Sequence, residues 1–289
     1  MAAGAREVPM PPSGNIAYPR MTSDPTFAYT DPDTTTDAST SNVGTGVVRL
    51  QARSIRGWVT IPNDLMRYSS PSIELIVRGM LAAGMAVVED NTFLEGVGSS
   101  IAPKGLLNYP VSTAEVPATG KLTLHVAATV GANGDTFEPE DVALNRALYE
   151  MGKDPDPPTG WIFRPLLWSA IKNRRADAVT AGDKKGPFMF PTTRGLLGEP
   201  VPDLLDGIKV VSTVQASANR TKGSSSVLGY TLYGNFNRAI IGRVGTLEIA
   251  ASEHVKFLQD KTVLRIVGRN DLGLEHEESL VLTDSLLQS

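Results

Sequence analysis

Hydrophobic residues are most concentrated between residues 71 and 90, where the chain reads PSIELIVRGMLAAGMAVVED. Ser70 is a suitable N-cap and Pro71 suits the first helical position. Apolar residues leave this helix almost no polar side, which is typical of a helix in a core or a membrane. Only ten uncharged residues separate Arg78 from Glu89, too few to cross a bilayer. The pattern therefore predicts a long buried helix, in which a charge at Met80 or Ala83 would disrupt the fold.

Residues 1–46 have a different pattern, because prolines punctuate them and residues 30–42 are polar. Only Phe27 and Tyr29 look strand-like. Such a segment cannot bury enough apolar surface to fold alone. It is either a disordered tail, or an extended arm and hairpin loop that become ordered against neighbouring chains.

Residues 47–61 alternate between apolar and polar positions, which predicts a strand. Val48, Leu50 and Ala52 are apolar first, and the phase then shifts to Ile55, Val59 and Ile61. A one-residue phase shift moves the apolar side chains to the other face. We therefore expect one strand that changes its packing partner midway, from a projecting hairpin to a core.

The rest of the chain predicts short elements joined by turns. A loop follows the long helix at 96–110. Helices are expected at 135–151, where acidic residues fill the first turn, and at 165–173. From about residue 176, glycines separate short apolar runs, which indicates a second, smaller lobe. The predicted strands are 122–126, 161–163, 208–211, 226–233, 239–241 and 262–271, the last continuing to 282.

Composition indicates a globular protein with one large or two linked domains, since 41% of its 289 residues are hydrophobic and 20% are charged. The formal net charge of −4 argues against general affinity for nucleic acid. The chain has no cysteine, which excludes disulfides and thiolate chemistry. Its first residues lack a basic region followed by an apolar run, so we expect no signal peptide.

No residue pattern predicts a catalytic, cofactor-binding or metal site. The loop at 96–110 lacks the Gly-Lys-Ser/Thr of a phosphate loop. His125, His254 and His276 lie far apart, without ligand spacing. Residues 275–278 are expected to be an exposed acidic face. The most basic region is a solvated face, a set of inter-subunit salt bridges or a nucleic-acid contact; it contains Lys172, Arg174, Arg175, Lys184 and Lys185.

Two stretches resemble the major capsid proteins of tailed double-stranded DNA bacteriophages. TFLEGVGSSIAPKGLLNY, directly after the long helix, resembles the family's "FL-G-G…P-GLL" segment. Residues 229–286 resemble its "GDF…A-I-G-R" turn, its "F–D–T–R—R-D" strand and its apolar last strand. Asn235 stands where the family more often has an acid. The matching residues are Gly234, Asn235, Phe236, Ala239, Ile241, Gly242, Arg243, Phe257, Asp260, Thr262, Arg265, Arg269 and Asp271.

The resemblance implies an α+β protein of the Hong Kong 97-type capsid fold. Residues 1–20 would then be an N-terminal arm and 21–57 a β-hairpin called the E-loop. A peripheral domain would comprise 58–175, with 71–90 as its spine helix, and an axial domain would comprise 176–251. Residues 252–289 would return to the peripheral domain as C-terminal strands.

The resemblance also implies a structural protein rather than an enzyme, with no cofactor and no membrane contact. Copies would assemble in the host bacterial cytoplasm into the hexamers and pentamers of a virion shell. The shell would enclose double-stranded DNA without sequence-specific binding, and a separate scaffolding protein, a portal and a decoration or cement protein are possible partners. Met1 favours a separate scaffold over a mature, cleaved form. The alternatives are an encapsulin-type nanocompartment shell protein and an unrelated α+β enzyme.

Some members of this family join the hairpin to a neighbouring subunit by an isopeptide bond between Lys and Asn. That reaction requires a lysine in the hairpin. The first lysine of this chain is Lys104, so we expect a shell without covalent cross-links.

Overall fold

The computed structural model describes residues 3–21, 44–68, 73–112, 116–118, 120–125, 133–152, 154, 156–174 and 203–287. Helices and strands alternate irregularly along the chain, as in an α+β protein. The helices are α1 (Asn63–Tyr68), α2 (Ile73–Glu95), α3 (Pro139–Met151) and α4 (Pro165–Asn173). The strands are β1 (Arg6–Met10), β2 (Asn15–Met21), β3 (Thr45–Gln51), β4 (Arg53–Pro62), β5 (Thr123–His125), β6 (Gly160–Phe163), β7 (Leu204–Leu205), β8 (Ile208–Ser212), β9 (Arg220–Lys222), β10 (Ser225–Gly234), β11 (Ala239–Val244), β12 (Glu248–Lys256), β13 (Lys261–Leu274) and β14 (Leu280–Leu287).

The long helix is confirmed, but it ends at Glu95 rather than Asp90. Residues 90–92 read as an end because they are polar, with Asp90 and Asn91 exposed, whereas Phe93 and Leu94 on the next turn are buried. The Thr92 hydroxyl donates to the Val88 carbonyl at 2.7 Å, which keeps its polar group inside the helical ladder. Ser70 and Pro71 lie outside the described residues.

The strand with the phase shift is also confirmed, and Ala52 divides it. β3 pairs with β2 in an antiparallel hairpin stem, while β4 pairs antiparallel with β13. The change of partner at Ala52 explains the phase shift, because each half turns its apolar side chains toward a different neighbour. The hairpin segment 22–43, with Phe27 and Tyr29, lies outside the described residues.

The expectation that no strand precedes Phe27 is wrong, since β1 and β2 both lie there. Prolines obscured them: Pro9 lies in β1 and Pro19 in β2. Proline cannot donate a backbone hydrogen bond, so it is tolerated where a strand lies at a sheet edge. β1 occupies the edge of its sheet, parallel to β11.

Two larger sheets form the body of the protein. The five-stranded sheet runs β1-β11-β13-β12, with β4 also paired to β13. The seven-stranded sheet runs β5-β14-β10-β6-β8-β7, with β9 paired to β10. The seven-stranded sheet combines β6 from the predicted peripheral domain, β10 from the predicted axial domain and β14 from the predicted C-terminal strands, because β10 pairs with both β6 and β14. The domain boundaries given above stay predictions.

Three apolar clusters hold these layers together. One joins the end of α2 to both sheets and includes Phe93, Tyr230 and Phe236. A second packs α3 and α4 on the seven-stranded sheet, around Trp161 and Trp168. A small third cluster lies under the hairpin stem and contains Met10, Val48, Leu50 and Ile240.

Candidate assembly surfaces

An acidic turn between β13 and β14 holds both N-terminal strands. Glu275 pairs with Arg6 of β1 at 2.5 Å, and Glu277 pairs with Arg20 of β2 at 2.5 Å. The Glu275 side chain is 16% exposed and that of Glu277 12%, and His276 and Glu278 are also half-buried, so the expectation of an exposed face at 275–278 is wrong. Sequence reasoning missed the role of the turn because its partners lie more than 250 residues away.

Arg243 connects the N-terminal strand, the sheet and the long helix. Its guanidinium lies 3.3 Å from the Glu7 carboxylate and 2.6 Å from that of Glu89. Glu89 belongs to α2 and is 7% exposed. A buried carboxylate needs a paired cation to offset its lost hydration, so Arg243 fixes the position of α2 on the sheet.

Asp271 fixes the base of the hairpin where β3 becomes β4. One carboxylate oxygen accepts from Arg53 at 2.6 Å and the other from the Gln51 backbone at 2.7 Å. Burial raises the pKa of the Asp271 carboxyl, while these two donors oppose the rise. Arg53 also donates to the Ser99 carbonyl at 2.8 Å. The hairpin stem is therefore tied to the five-stranded sheet and to the loop after α2.

Asn235 caps the turn that joins β10 to β11. Its side-chain oxygen accepts from the Asn237 backbone at 3.1 Å, and its amide nitrogen donates to Asp154 at 3.4 Å. An amide supplies the capping acceptor that an acid would supply at this position. It also avoids placing a second carboxylate against Asp154.

One face of α2 is apolar and exposed, contrary to the expectation of a fully buried helix. Leu75 is 75% exposed and Met80 is 68% exposed, and Ile76, Val87 and Val88 are also exposed. The opposite face packs on the sheet, where Met85 is buried and its methyl group lies above Gly268. The sequence indicates that α2 is apolar on nearly all sides, but it does not indicate that one of these sides stays exposed in the single chain. Large apolar side chains exposed along one helix are typical of an interaction site.

The residues with possible chemistry are separated or paired. His125 is buried, with Nε2 3.0 Å from the Asp141 carboxylate; Asp141 also accepts from the Glu138 backbone at the start of α3. His254 lies on β12 and His276 at the acidic turn. Within the described ranges, no group of three or more His, Asp or Glu residues could hold a metal ion.

The basic region near α4 is partly paired. Lys172 lies 3.3 Å from Asp203, and Arg174 pairs with Glu138. Arg175, Lys184 and Lys185 lie outside the described residues. The two described pairs are contacts within the chain, which accounts for these two charges without a nucleic-acid contact.

A cavity of about 580 Å³ lies beside α3 and β10. Two of the acids that line the cavity, Asp154 and Asp156, each lie 3.0 Å from the guanidinium of Arg238. Burial raises the pKa of Tyr233 at the cavity wall to about 12, so its phenol is protonated at neutral pH. The cavity therefore presents paired charges and a neutral phenol rather than a nucleophile with an adjacent base. None of the helices in the described part of the chain is long and apolar enough to cross a membrane.

A helix laid across one sheet, a hairpin stem and a clamped N-terminal strand together define a protein of the Hong Kong 97-type fold, as the resemblance implied. Solved structures agree. The capsid of the native GTA particle matches with a TM-score of 0.76 at 13% identity, over 98% of this chain and 88% of that one. Microbacterium phage Oxtober96 matches at 0.65 and 15% identity, covering 98% and 89%. The SrpI encapsulin complex from Synechococcus elongatus PCC 7942 matches at 0.62 and 11%, covering 99% and 86%.

Comparison of the amino-acid sequence with known families assigns the chain to one family of this fold. The model of the phage capsid family matches residues 1–285, and the chain belongs to that family. The major capsid protein of Klebsiella oxytoca phage phiKO2 is 24% identical over 298 residues, covering 98% of this chain and 63% of the relative. The major capsid protein of Halomonas phage phiHAP-1 is 33% identical over 94 residues, covering 32% of this chain and 15% of the relative. The chain thus spans less than two thirds of either curated relative.

Proposed function

We propose that this chain is a major capsid protein whose copies assemble into hexamers and pentamers of an icosahedral phage head around double-stranded DNA. The family match over residues 1–285 carries the proposal. The exposed apolar face of α2 supports it, because a lone soluble chain rarely leaves Leu75, Met80 and Val87 uncovered on one helix. Neighbouring copies in a shell would cover this face.

The clamped N-terminal region supports the same function. β1 and the hairpin stem are held by ion pairs at Glu275 and Glu277 rather than by a large core of their own. Arg6 in the first of these pairs is half exposed, and an exposed ion pair contributes only about 0–1 kcal/mol. The arm and hairpin are therefore the elements that can adapt to the different environments of hexamers and pentamers.

The domain assignment is part of the proposal. The five-stranded sheet with α2 would form the peripheral domain, and the seven-stranded sheet with α3 and α4 would form the axial domain. β14 and β6 would then belong with β10 in the axial domain, because these three strands pair directly. This division would replace the linear boundaries at 175 and 251 with one that follows the strand pairing.

The partners and chemistry follow from the same proposal. The protein is structural and performs no catalysis. It assembles in the host cytoplasm with a portal, and a scaffolding protein and a decoration protein act as further partners. DNA contacts the shell without sequence-specific binding, since packaging by a motor does not require an attractive wall.

Purification of particles after expression of the chain tests the function. Negative-stain images together with a nuclease-protection assay distinguish three results. DNA-filled heads in infected cells, or head-sized empty shells without the other phage proteins, support the proposal. Small cages that enclose a cargo enzyme would favour the encapsulin alternative. A monomer with hydrolase activity and no particles would contradict both.

A further inference from the structure

A cavity of about 300 Å³ lies at the base of the hairpin, where the stem meets the body of the protein. Its walls come from both strands of the stem, the start of β4, the loop after α2, the end of β13 and the acidic turn. Four cationic side chains and two carboxylates line it, so positive charges exceed negative ones by two. These side chains belong to Arg20, Arg49, Arg53, Lys104, Asp271 and Glu277.

Both carboxylates of this cavity are already paired. Asp271 accepts from Arg53 at 2.6 Å, and Glu277 accepts from Nη1 of Arg20. The Nε–H of Arg20 is buried and has no acceptor among the residues that the structure describes. A buried donor without an acceptor is unfavourable, and an anion bound beside Arg20 is able to supply one.

Arg49 and Lys104 carry the excess positive charge of the cavity. Neither forms an ion pair with a carboxylate in the described part of the chain. The Lys104 ammonium lies 4.3 Å from the centroid of the Tyr109 ring, and a ring face attracts a cation without neutralising it. Arg49 projects from the stem and Lys104 from the loop after α2, so an anion between them would be attracted by both walls.

Backbone contacts hold the wall that carries Lys104 in place. Lys104 forms an antiparallel bridge with Val97, and the Gly98 N–H donates to the Pro103 carbonyl at 3.2 Å. Gly98 has φ +69°, and a Cβ there would lie only 3.0 Å from Cγ of Lys104. Glycine therefore allows the loop to close over the lysine side chain. A cation on a backbone that is already ordered loses less entropy when it binds a ligand.

The charges of the cavity favour a doubly charged phosphate group over a carboxylate. A phosphate monoester carries a charge of about −1.5 to −2 at pH 7 and presents three acceptor oxygens, which matches the excess charge of the cavity. A carboxylate, or one phosphodiester of a DNA backbone, carries a single charge and would leave one cation uncompensated. Arginine binds phosphate oxygens through a planar fork and lysine binds them as a point charge, so both cations suit this ligand.

We propose that this cavity is a binding site for a phosphate group, held by Arg49 and Lys104 with Arg20 beside them. The group is either inorganic phosphate or a phosphate of nucleic acid. Bound phosphate would join β3 of the stem to the loop after α2, and would so fix the angle at which the stem leaves the body. The site lies within one chain, so it does not depend on the proposed function.

Titration of the unassembled chain with phosphate tests the site. Sodium phosphate is added at neutral pH while sodium chloride is adjusted to hold the ionic strength constant. Calorimetry measures the affinity, and thermal unfolding measures the midpoint. A ligand that binds only the folded state stabilises it, so the midpoint should rise with phosphate as the site fills. A rise no larger than that in sodium chloride alone would overturn the site, because only charge screening would remain.

Neutral variants test which residues bind the phosphate. Lys104→Gln and Arg49→Gln should each weaken its binding about tenfold or more, because each removes a charge-assisted contact. Arg49 is exposed and Lys104 is half-buried, so the urea midpoint without phosphate should be nearly unchanged. Lys104→Arg keeps the charge and should retain most of the affinity. Lys256→Gln is the control, because Lys256 is exposed and pairs with Lys261 at the opposite end of β13. An equal loss in this control would overturn the site.

Hydrogen exchange tests the effect on the stem. Saturating phosphate should slow the exchange of the β3 amides in the unchanged chain and not in Lys104→Gln, while the amides of the distant strand β12 keep their rates. Phosphate binding without slower exchange in β3 would overturn the proposed fixing of the stem.

Other ligands identify the chemical class and its source. Acetate at the same concentration should stabilise the chain much less than phosphate, and equal stabilisation would overturn the preference for a phosphate group. We expect a short DNA duplex not to displace inorganic phosphate, which would identify a small phosphate ion as the ligand. Displacement by the duplex, with loss of duplex binding in Lys104→Gln, would support the site with nucleic acid as the source. Duplex binding that Lys104→Gln leaves unchanged, without any binding of inorganic phosphate, would overturn the site.

Discussion

Truncation of two methionines on opposite faces of α2 separates the contribution of the helix to folding from its contribution to assembly. Met85 is 8% exposed and its methyl group lies above Gly268 on the sheet, whereas Met80 is 68% exposed. Met85→Ala removes a buried side chain and leaves a cavity, which typically costs 2–5 kcal/mol. Because Met85 retains 8% exposure, we expect a loss in the lower part of this range, about 2–3 kcal/mol. For Met80→Ala, where little buried area is lost, we expect about 0.5 kcal/mol or less.

The two variants are matched, since both place alanine in the same helix and gain the same helix propensity. Urea unfolding of the unassembled chain, followed by far-UV circular dichroism, measures both free energies of unfolding. The particle yield should fall for Met80→Ala although its unfolding is nearly unchanged. Equal losses of folding stability in the two variants would refute the assignment of the exposed face. So would a Met80→Ala variant that unfolds and assembles like the unchanged chain.

Three further predictions concern glycine substitutions, tyrosine ionisation and covalent cross-linking. Gly234 has φ +143°, and a Cβ there would lie 2.1 Å from the Ser279 carbonyl oxygen. Gly234→Ala should therefore destabilise the chain by about 3 kcal/mol in urea unfolding. The control Gly79→Ala places its Cβ in open space on a helix and should stabilise the chain by about 0.5–1 kcal/mol. Burial raises the pKa of Tyr109 and of Tyr233 to about 12 and also raises the pKa of Tyr149 and Tyr230. The native state therefore keeps phenol protons that the unfolded state releases above pH 10. The free energy of unfolding should fall between pH 10 and 12, by up to about 1.4 kcal/mol per pH unit for each fully buried tyrosine. Absorbance at 295 nm checks this, and titration of all seven tyrosines near pH 10 in the folded chain would contradict it. Denaturing gels of shells should show one band at 30.8 kDa, and a ladder of multimers would contradict the absence of cross-links.

The sequence predicts local elements well where one physical signal dominates. Pro165 starts α4 as the pattern predicts, and the phase shift at Ala52 predicts the change of partner between β3 and β4. It fails where tertiary contacts override the local signal. Pro9 and Pro19 disfavour strands, yet edge positions in two sheets accommodate them.

Long-range ion pairs are the least predictable part of the assembly surfaces. Glu275 and Glu277 read as a solvated acidic run, because nothing near them in sequence indicates that Arg6 and Arg20 are their partners. Asp271 is different, since the family resemblance marks it. The structure gives the physical reason for the acid there, which is to bind Arg53 and the Gln51 backbone at the base of the hairpin.

The misreading of α2 has a general physical cause. A hydrophobic pattern reports which side chains are stabilised by leaving water, but it does not distinguish a core within one chain from an interface between chains. In α2 the two kinds of burial are divided between its faces. Met85 and Phe93 stabilise the monomer, while Leu75, Ile76 and Met80 remain exposed in it. A helix that is apolar on all sides, in a chain that lacks a membrane-length apolar run, therefore indicates either a large core or an assembly. The exposed face of α2 favours assembly for this chain.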